Sequence, residues 1–268
     1  MKAVLFAGGK AGEIALKKLV REQAGFLAGV VWDQNTGPLL TTGSVNLLTE
    51  ANCRGQGEVL LCSGYGRVID QSIIDAFPQG AFNAHPSLLP DYRGRHAIQW
   101  ALAGGEKELG VTVHRMTAEL DCGDYVLVRR RRFGITVKLA EAANALADMA
   151  AEMLVELASM LKADSLPKPL PKPGAKRRYW PRRRPEDGRI DWGAPTMATI
   201  NKVRAGQSDY PAYAYLADGS RVNFDDYLAG DTPGEVLWSS PHGCLIAVAD
   251  GVVWLVPDRP LKKGDVLT

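Results

Sequence analysis

Over its first 165 positions the chain alternates short apolar runs with turn residues. Val4-Leu5-Phe6, residues 29–32 and residues 58–62 are largely apolar and bounded by turn-forming positions. Strands buried on both faces of a parallel sheet read this way, because neither face meets water. Between the first two, residues 13–21 set Ile14, Leu16 and Leu19 at mixed helical spacing. The clearest helix covers 136–161. Leu139, Ala143, Leu146, Ala150, Met153, Leu157 and Leu161 recur at steps of three and four and make one apolar stripe, which is core packing. Beyond residue 185 the pattern changes. One helix over 194–205 precedes strand-like segments at 212–216, 221–227, 234–238, 244–248 and 252–257, separated by ADG and SPHG turns. Strands so short and closely spaced predict a small antiparallel barrel. The seam at 165–185, SLPKPLPKPGAKRRYWPRRRP, holds six of the sixteen prolines, which neither helix nor sheet accommodates. It predicts an extended linker. The expected division is an α/β domain over 1–165, a Pro/Arg-rich linker over 166–185 and a β domain over 186–268.

Composition narrows the class. With 268 residues, 46% hydrophobic and 23% charged, the chain is an ordinary globular one. A formal net charge of +2 gives no argument for nucleic acid by itself. The four residues 207–268 contribute to the basic set, Arg221, Arg259, Lys262 and Lys263, are too few for a phosphate-tracking groove. Cys53, Cys62, Cys122 and Cys244 form no CxxC pair, so no metal knuckle or disulfide framework is expected, and a reduced, cytoplasmic compartment follows. No apolar run reaches the ~18 residues that span a bilayer, so no membrane role is expected. The opening MKAVLFAGGK breaks at Gly8-Gly9 and reads as a strand, not a signal peptide.

The chemistry is concentrated between Ser63 and Asp124. Asn83 and His85 follow an apolar strand, and residues i and i+2 of a strand share a face. Both therefore project at the carboxyl end of a parallel strand, where open α/β sheets bind ligands. A lone His there reads equally as a buried ring on a backbone carbonyl, and Asp121 before a Gly reads as a turn residue. Gly8-Gly9-Lys10 reads as a phosphate-cradling helix start or as a plain strand-to-helix turn, and lacks the spacing of a nucleotide-triphosphatase loop. Residues 129–132, four arginines, read as a solvated edge strand. Lys176-Arg177-Arg178 and Arg182-Arg183-Arg184 read as phosphate contacts or as a charged surface.

Taken together the motifs are specific. Asn-x-His-Pro-Ser-Leu-Leu-Pro followed by Tyr-Arg-Gly (83–94), then Gly-Val-Thr-Val-His-Arg-Met (110–116) and Leu-Asp-Cys-Gly-Asp (120–124), resemble the folate-dependent formyltransferase family. The likeness covers residues 1–165 well and the remainder weakly. It is closest to the sugar-nucleotide N-formyltransferases within that family. The resemblance implies a Rossmann-like, open, mostly parallel sheet with flanking helices, followed by a small OB-like barrel. It also implies 10-formyltetrahydrofolate as co-substrate, no metal, and a small amine acceptor, foremost a nucleotide-linked amino sugar. Methionyl-tRNA or another natural-product amine is the alternative acceptor, and a homodimer is left open. Residue by residue, the match makes Asn83, His85 and Asp121 catalytic. It makes Gly66, Arg67, Val68, Ile69, Thr117, Ala118, Glu119 and Leu120 the folate loops. It assigns Gly8, Gly9, Lys10, Ser87, Tyr92, Arg93 and Gly94 to the acceptor. Chemically, formyl transfer develops an oxyanion on a tetrahedral carbon, which Asn83 and a protonated His85 suit as donors. Asp121 suits the proton traffic. One departure is the short stretch 33–58, where relatives have room for a further strand and helix.

Overall fold

The computed structural model describes residues 1–39, 45–171, 178–206, 210–216, 218–228, 244–248 and 251–258. The chain divides into two compact units. One comprises residues 1–94, 109–131 and 143–179, and the other 95–108, 132–142 and 180–268.

Seven strands make the first sheet: β1 (Ala3–Ala7), β2 (Leu27–Trp32), β3 (Asn46–Leu48), β4 (Val59–Ser63), β5 (Ala81–His85), β7 (Glu108–Arg115) and β8 (Tyr125–Arg132), in the order β3-β2-β1-β4-β5-β7-β8. The short β6 (Arg93–Gly94) lies outside it. β1 and β4 are buried at every position, as their unbroken apolar runs require. The pairs from β3 through to β5 are parallel, and β7 runs antiparallel to β5. This is a Rossmann-like, mostly parallel sheet. Strand order reverses at β1 and β4, the point where such sheets open a crevice.

The helices are α1 (Gly9–Glu22), α2 (Gln71–Ile74), α3 (Ala97–Ala103), α4 (Leu139–Lys162) and α5 (Thr196–Arg204). The apolar stripe expected on α4 is buried at Leu139, Leu146, Ala150, Met153, Leu157 and Leu161. β8 is an edge strand, as its arginines imply, and Arg129 pairs with Glu152 and Glu156 of α4. The short 33–58 stretch keeps an edge strand, β3, and only turns connect β3 to β4.

Within the stretch expected as an extended linker, described residues on either side of 172–177 make backbone bonds. Leu170 N–H donates to Tyr125 O at 2.9 Å, and β9 (Tyr179–Trp180) pairs with β6. Arg183 corrects the picture of a solvated basic run. It is 1% exposed, and its guanidinium donates to Ala205 O at 2.8 Å and Asp187 O at 3.3 Å. A neighbouring carbonyl pair thus replaces water as its partner. Lys176 and Arg177 lie outside the described residues.

The second sheet is antiparallel, in the order β10-β11-β13-β12: β10 (Ala212–Tyr215), β11 (Arg221–Leu228), β12 (Cys244–Val248) and β13 (Gly251–Pro257). Ile200 and Val203 of α5 pack with Ala212, Val222, Phe224 and Leu255 in its core. The expected strand at 234–238 lies outside the described residues.

Candidate active site

β5 ends in Asn83-Ala84-His85, and its antiparallel neighbour β7 sets His114 opposite Asn83 and Thr112 opposite His85. Directly opposed residues point to the same face, so four polar side chains converge there. Thr112 is fully buried. Its hydroxyl donates to Ser87 O at 2.8 Å and accepts from Leu89 N–H at 3.1 Å, which fixes the turn leaving β5.

Asp121 reaches this face from the loop after β7, with φ 54°. Left-handed backbone is uncommon outside Gly, and Asp is among the residues that tolerate it. Its two oxygens have different surroundings. Oδ2 accepts the Gly94 N–H at 2.9 Å. Oδ1 lies 3.5 Å from Asn83 Nδ2, 3.4 Å from His114 Nε2 and 3.7 Å from His85 Nδ1. Burial pushes the Asp121 carboxyl up, but His85, His114 and the Gly94 N–H outweigh it and hold it well below the usual carboxylate range. The group is therefore an anion at neutral pH, enclosed with both imidazoles.

The outer nitrogens of both rings are spoken for. His85 Nε2 is 3.0 Å from Tyr92 O, and His114 Nδ1 is 2.8 Å from Arg115 O. A carbonyl only accepts, so each of those nitrogens carries a proton. The inner nitrogens, His85 Nδ1 and His114 Nε2, face Asp121. Asn83 Nδ2 sits 3.3 Å from His114 Nε2. Asn83, His85 and Asp121, expected from sequence, are brought together. His114 lies in the Gly-Val-Thr-Val-His-Arg-Met motif but carried no expected role, because its place opposite Asn83 comes from the antiparallel pairing of β7 with β5. Cys62, opposite Asn83 across β4, is no rival nucleophile, since burial pushes its thiol up to about 12.

The two expected folate loops follow β4 and β7. Gly66 N–H donates to Asp33 Oδ2 at 3.0 Å, and Arg67 pairs with Glu50 at 3.3 Å. Ile69 is buried in a cluster against which Met116 packs. Val68 and Leu120, one on each loop, are 69% and 43% exposed. Thr117 and Ala118 line an open cavity of about 570 Å³ with Phe77, Gly80, Arg115 and Met116. Each expected loop therefore leaves one apolar side chain uncovered, while Gly66 N–H is held by Asp33 and Leu120 O by Arg93. Among the described residues no cluster of His, Cys, Asp and Glu could hold a metal ion.

The residues expected at the acceptor separate into two groups. Gly8, Gly9 and Lys10 form the β1–α1 turn, where the Thr36 hydroxyl accepts from Gly9 N–H at 2.6 Å. Of Ser87, Tyr92, Arg93 and Gly94, the second and fourth meet the trio through main-chain atoms, and the other two bond to neighbouring loop residues. The Ser87 hydroxyl donates to Asp91 O at 2.8 Å, Tyr92 O serves His85, and Gly94 holds Asp121. Arg93, 6% exposed, donates to Leu120 O and to Glu119.

Residues 46–158 match the family model described as Formyl transferase, and residues 183–263 match that of Formyl transferase, C-terminal domain. The chain belongs to the formyl transferase family. It is 34% identical over 209 residues to a methionyl-tRNA formyltransferase of Heliobacterium modesticaldum, covering 73% of this chain and 66% of that protein. Two solved structures share the fold of this formyl transferase. One is the N-formyltransferase from Helicobacter canadensis in complex with folinic acid and dTDP-3-aminofucose, at TM-score 0.76 and 11% identity, covering 96% of this chain and 98% of that one. The other is HypX from Aquifex aeolicus in complex with tetrahydrofolic acid, at TM-score 0.67 and 22% identity, covering 99% of this chain and 45% of that one. This formyl transferase thus spans about two thirds of its curated relative and under half of HypX. Among the described residues no helix is long and apolar enough to cross a membrane.

Proposed function

We propose that this protein moves a formyl group from 10-formyltetrahydrofolate to the amine of a nucleotide-linked amino sugar. The observation that carries the reading is the enclosure of Asn83, His85 and Asp121 within 3.7 Å of one carboxylate oxygen. A cytoplasmic setting is part of this reading.

The amine nitrogen attacks the formyl carbon, and the carbonyl π pair moves onto oxygen. Asn83 Nδ2–H and a protonated His85 Nδ1 donate to that oxyanion, which substitutes fixed dipoles for reorganising water. Asp121 keeps a proton on the imidazole facing it and, through water, accepts the one the amine sheds. The oxyanion pair then re-forms the carbonyl as the carbon–N10 bond breaks, and that bond's pair takes up, through water, the proton the amine shed, to give a formamide and tetrahydrofolate. Val68 and Leu120 suit the pterin faces, with main-chain groups of 66–69 and 117–120 at its edge. Lys10 and the Gly8-Gly9 turn are assigned to the acceptor.

Methionyl-tRNA is the second reading, favoured by the Heliobacterium relative. Against it stands the sparse basic content of 207–268, where Arg221, Arg259, Lys262 and Lys263 are the only Lys or Arg. We assign 186–268 to an OB-like barrel that supports the fold, an interface or a secondary ligand. The test is a transfer assay with 10-formyltetrahydrofolate against UDP- and dTDP-linked amino sugars, free amines and methionyl-tRNA. Turnover with the sugar nucleotides is expected. Turnover on methionyl-tRNA with the sugars inert overturns the acceptor assignment.

A further inference from the structure

We infer that Arg93 is a positioning residue: it locks the Leu120–Asp121 peptide, and through it aims Asp121 at the two imidazoles. Arg93 Nε and Nη2 both donate to the Leu120 carbonyl, at 3.1 and 2.8 Å, and Nη2 also donates to Glu119 Oε1 at 3.0 Å. The Leu120 carbonyl belongs to the peptide group joining residues 120 and 121. Its direction is set by ψ of Leu120 and φ of Asp121, the dihedral held at 54°. A left-handed non-Gly residue persists only where its surroundings over-determine it. Arg93 supplies that constraint with a planar fork on one oxygen, a geometry an ammonium cannot copy.

The next residue completes the grip. Gly94 N–H holds Asp121 Oδ2 at 2.9 Å, so the 93–94 dipeptide fastens the backbone of Asp121 and one end of its side chain together. Oδ1 is left to face His85 and His114. Arg93 is 6% exposed, and its guanidinium donates to Glu119 and the Leu120 carbonyl. Its nearest work is thus on protein, which differs from the acceptor-binding role the motif implies.

The inference rests on the proposed formyl transfer for its kinetics, and not for its second readout, so the two can fail separately. In Arg93→Ala, kcat is expected to fall ~10²-fold, the cost of misplacing a group by about 1 Å. Free guanidinium ion restores part of the lost kcat and ammonium does not. Arg93→Lys, which keeps charge and most volume, is expected to stay low. In an Asp121→Asn background Arg93→Ala adds little, because both changes disable one unit. Independently of turnover, titration of the ¹³C-labelled Asp121 carboxyl is expected to move up toward the ordinary carboxylate range in Arg93→Lys and Arg93→Ala. Wild-type kcat in Arg93→Lys, or an Asp121 titration unmoved in both variants, overturns the inference. So does a loss that Arg93→Ala and Asp121→Asn contribute independently.

Discussion

Gly123 offers a test of the site that touches no reacting group. A β carbon there would lie 1.8 Å from Arg115 O and 2.7 Å from Arg115 C, both backbone atoms. Real contacts of this kind do not fall below 3.0 Å, so in Gly123→Ala the two chain segments must part by more than 1 Å. Neither side is a flexible side chain that could swing away. The adjacent bond from Arg115 N–H to Asp124 O, 2.8 Å long, would stretch or break. Between these two strand ends hangs the loop that carries Asp121, two residues from the substitution. Displacement by about 1 Å is worth ~10²-fold in rate when it misaligns a catalytic group. The accompanying overpacking costs ~1–3 kcal/mol of stability. Gly123→Ala is therefore expected to lose ~10²-fold in kcat for formyl transfer and several degrees in Tm. The control is Gly134→Ala, whose β carbon would meet nothing nearer than Thr136 Oγ1 at 3.7 Å. It should leave both quantities at wild type. Measuring kcat and thermal unfolding on the same preparations decides the matter. Wild-type kcat in Gly123→Ala would refute the argument that this loop's backbone sets the geometry of Asp121.

The trio itself should behave as one device. Asn83→Ala and His85→Ala are each expected to lower kcat by ~10²–10³-fold with little change in folate affinity by calorimetry, and His85→Ala/Asp121→Ala should be little worse than His85→Ala alone. A merely structural His85 would instead lower Tm and spare specific activity. Asp121 also predicts an acid limb in stability. Its folded carboxyl is depressed below the unfolded value, so the stabilisation is present above pH ~4 and lost as pH falls through the folded midpoint. Urea midpoints taken from pH 7 down should fall more steeply below pH ~4 in wild type than in Asp121→Asn; parallel curves would show that Asp121 titrates alike in both states.

Strands β1, β2 and β4 were legible because burial on both faces leaves unbroken apolar runs, and α4 because one stripe of seven residues repeats at helical steps. Asn83 and His85 were legible as a pair from strand alternation alone. His114 was not, because its place depends on β7 pairing antiparallel to β5, a long-range fact that no local spacing encodes. The seam also misled. Its prolines do rule out helix, yet exposure depends on partners, and Arg183 finds two carbonyls that bury it. At the edge strand β3, three residues carry too little periodicity to be read. Arg93 shows the same limit at the site. A sequence displays an arginine beside a substrate-binding motif, but only the fold shows that its donors point at Leu120 O.

The Arg-Gly at 93–94 and the Asp-Cys-Gly at 121–123 therefore act as a single construction, although about thirty residues separate them. Gly123 lets the loop leave and rejoin the sheet against Arg115 with no side chain between. Within that narrow return, Arg93 fixes the peptide plane entering Asp121, and Gly94 N–H fixes Oδ2. Gly94 itself has φ 98°, a conformation that L side chains rarely adopt, so the residue that donates this bond has little freedom to become anything else. The left-handed backbone of Asp121 is the element held, and its Oδ1 is left to face Asn83, His85 and His114. A carboxylate restrained at three points meets His85 and His114 without first paying to become ordered, which is the condition for preorganised charge stabilisation. Substitutions at 93, 94 or 123 should for this reason be scored by what they do to Asp121, and only afterwards by what they do to an acceptor.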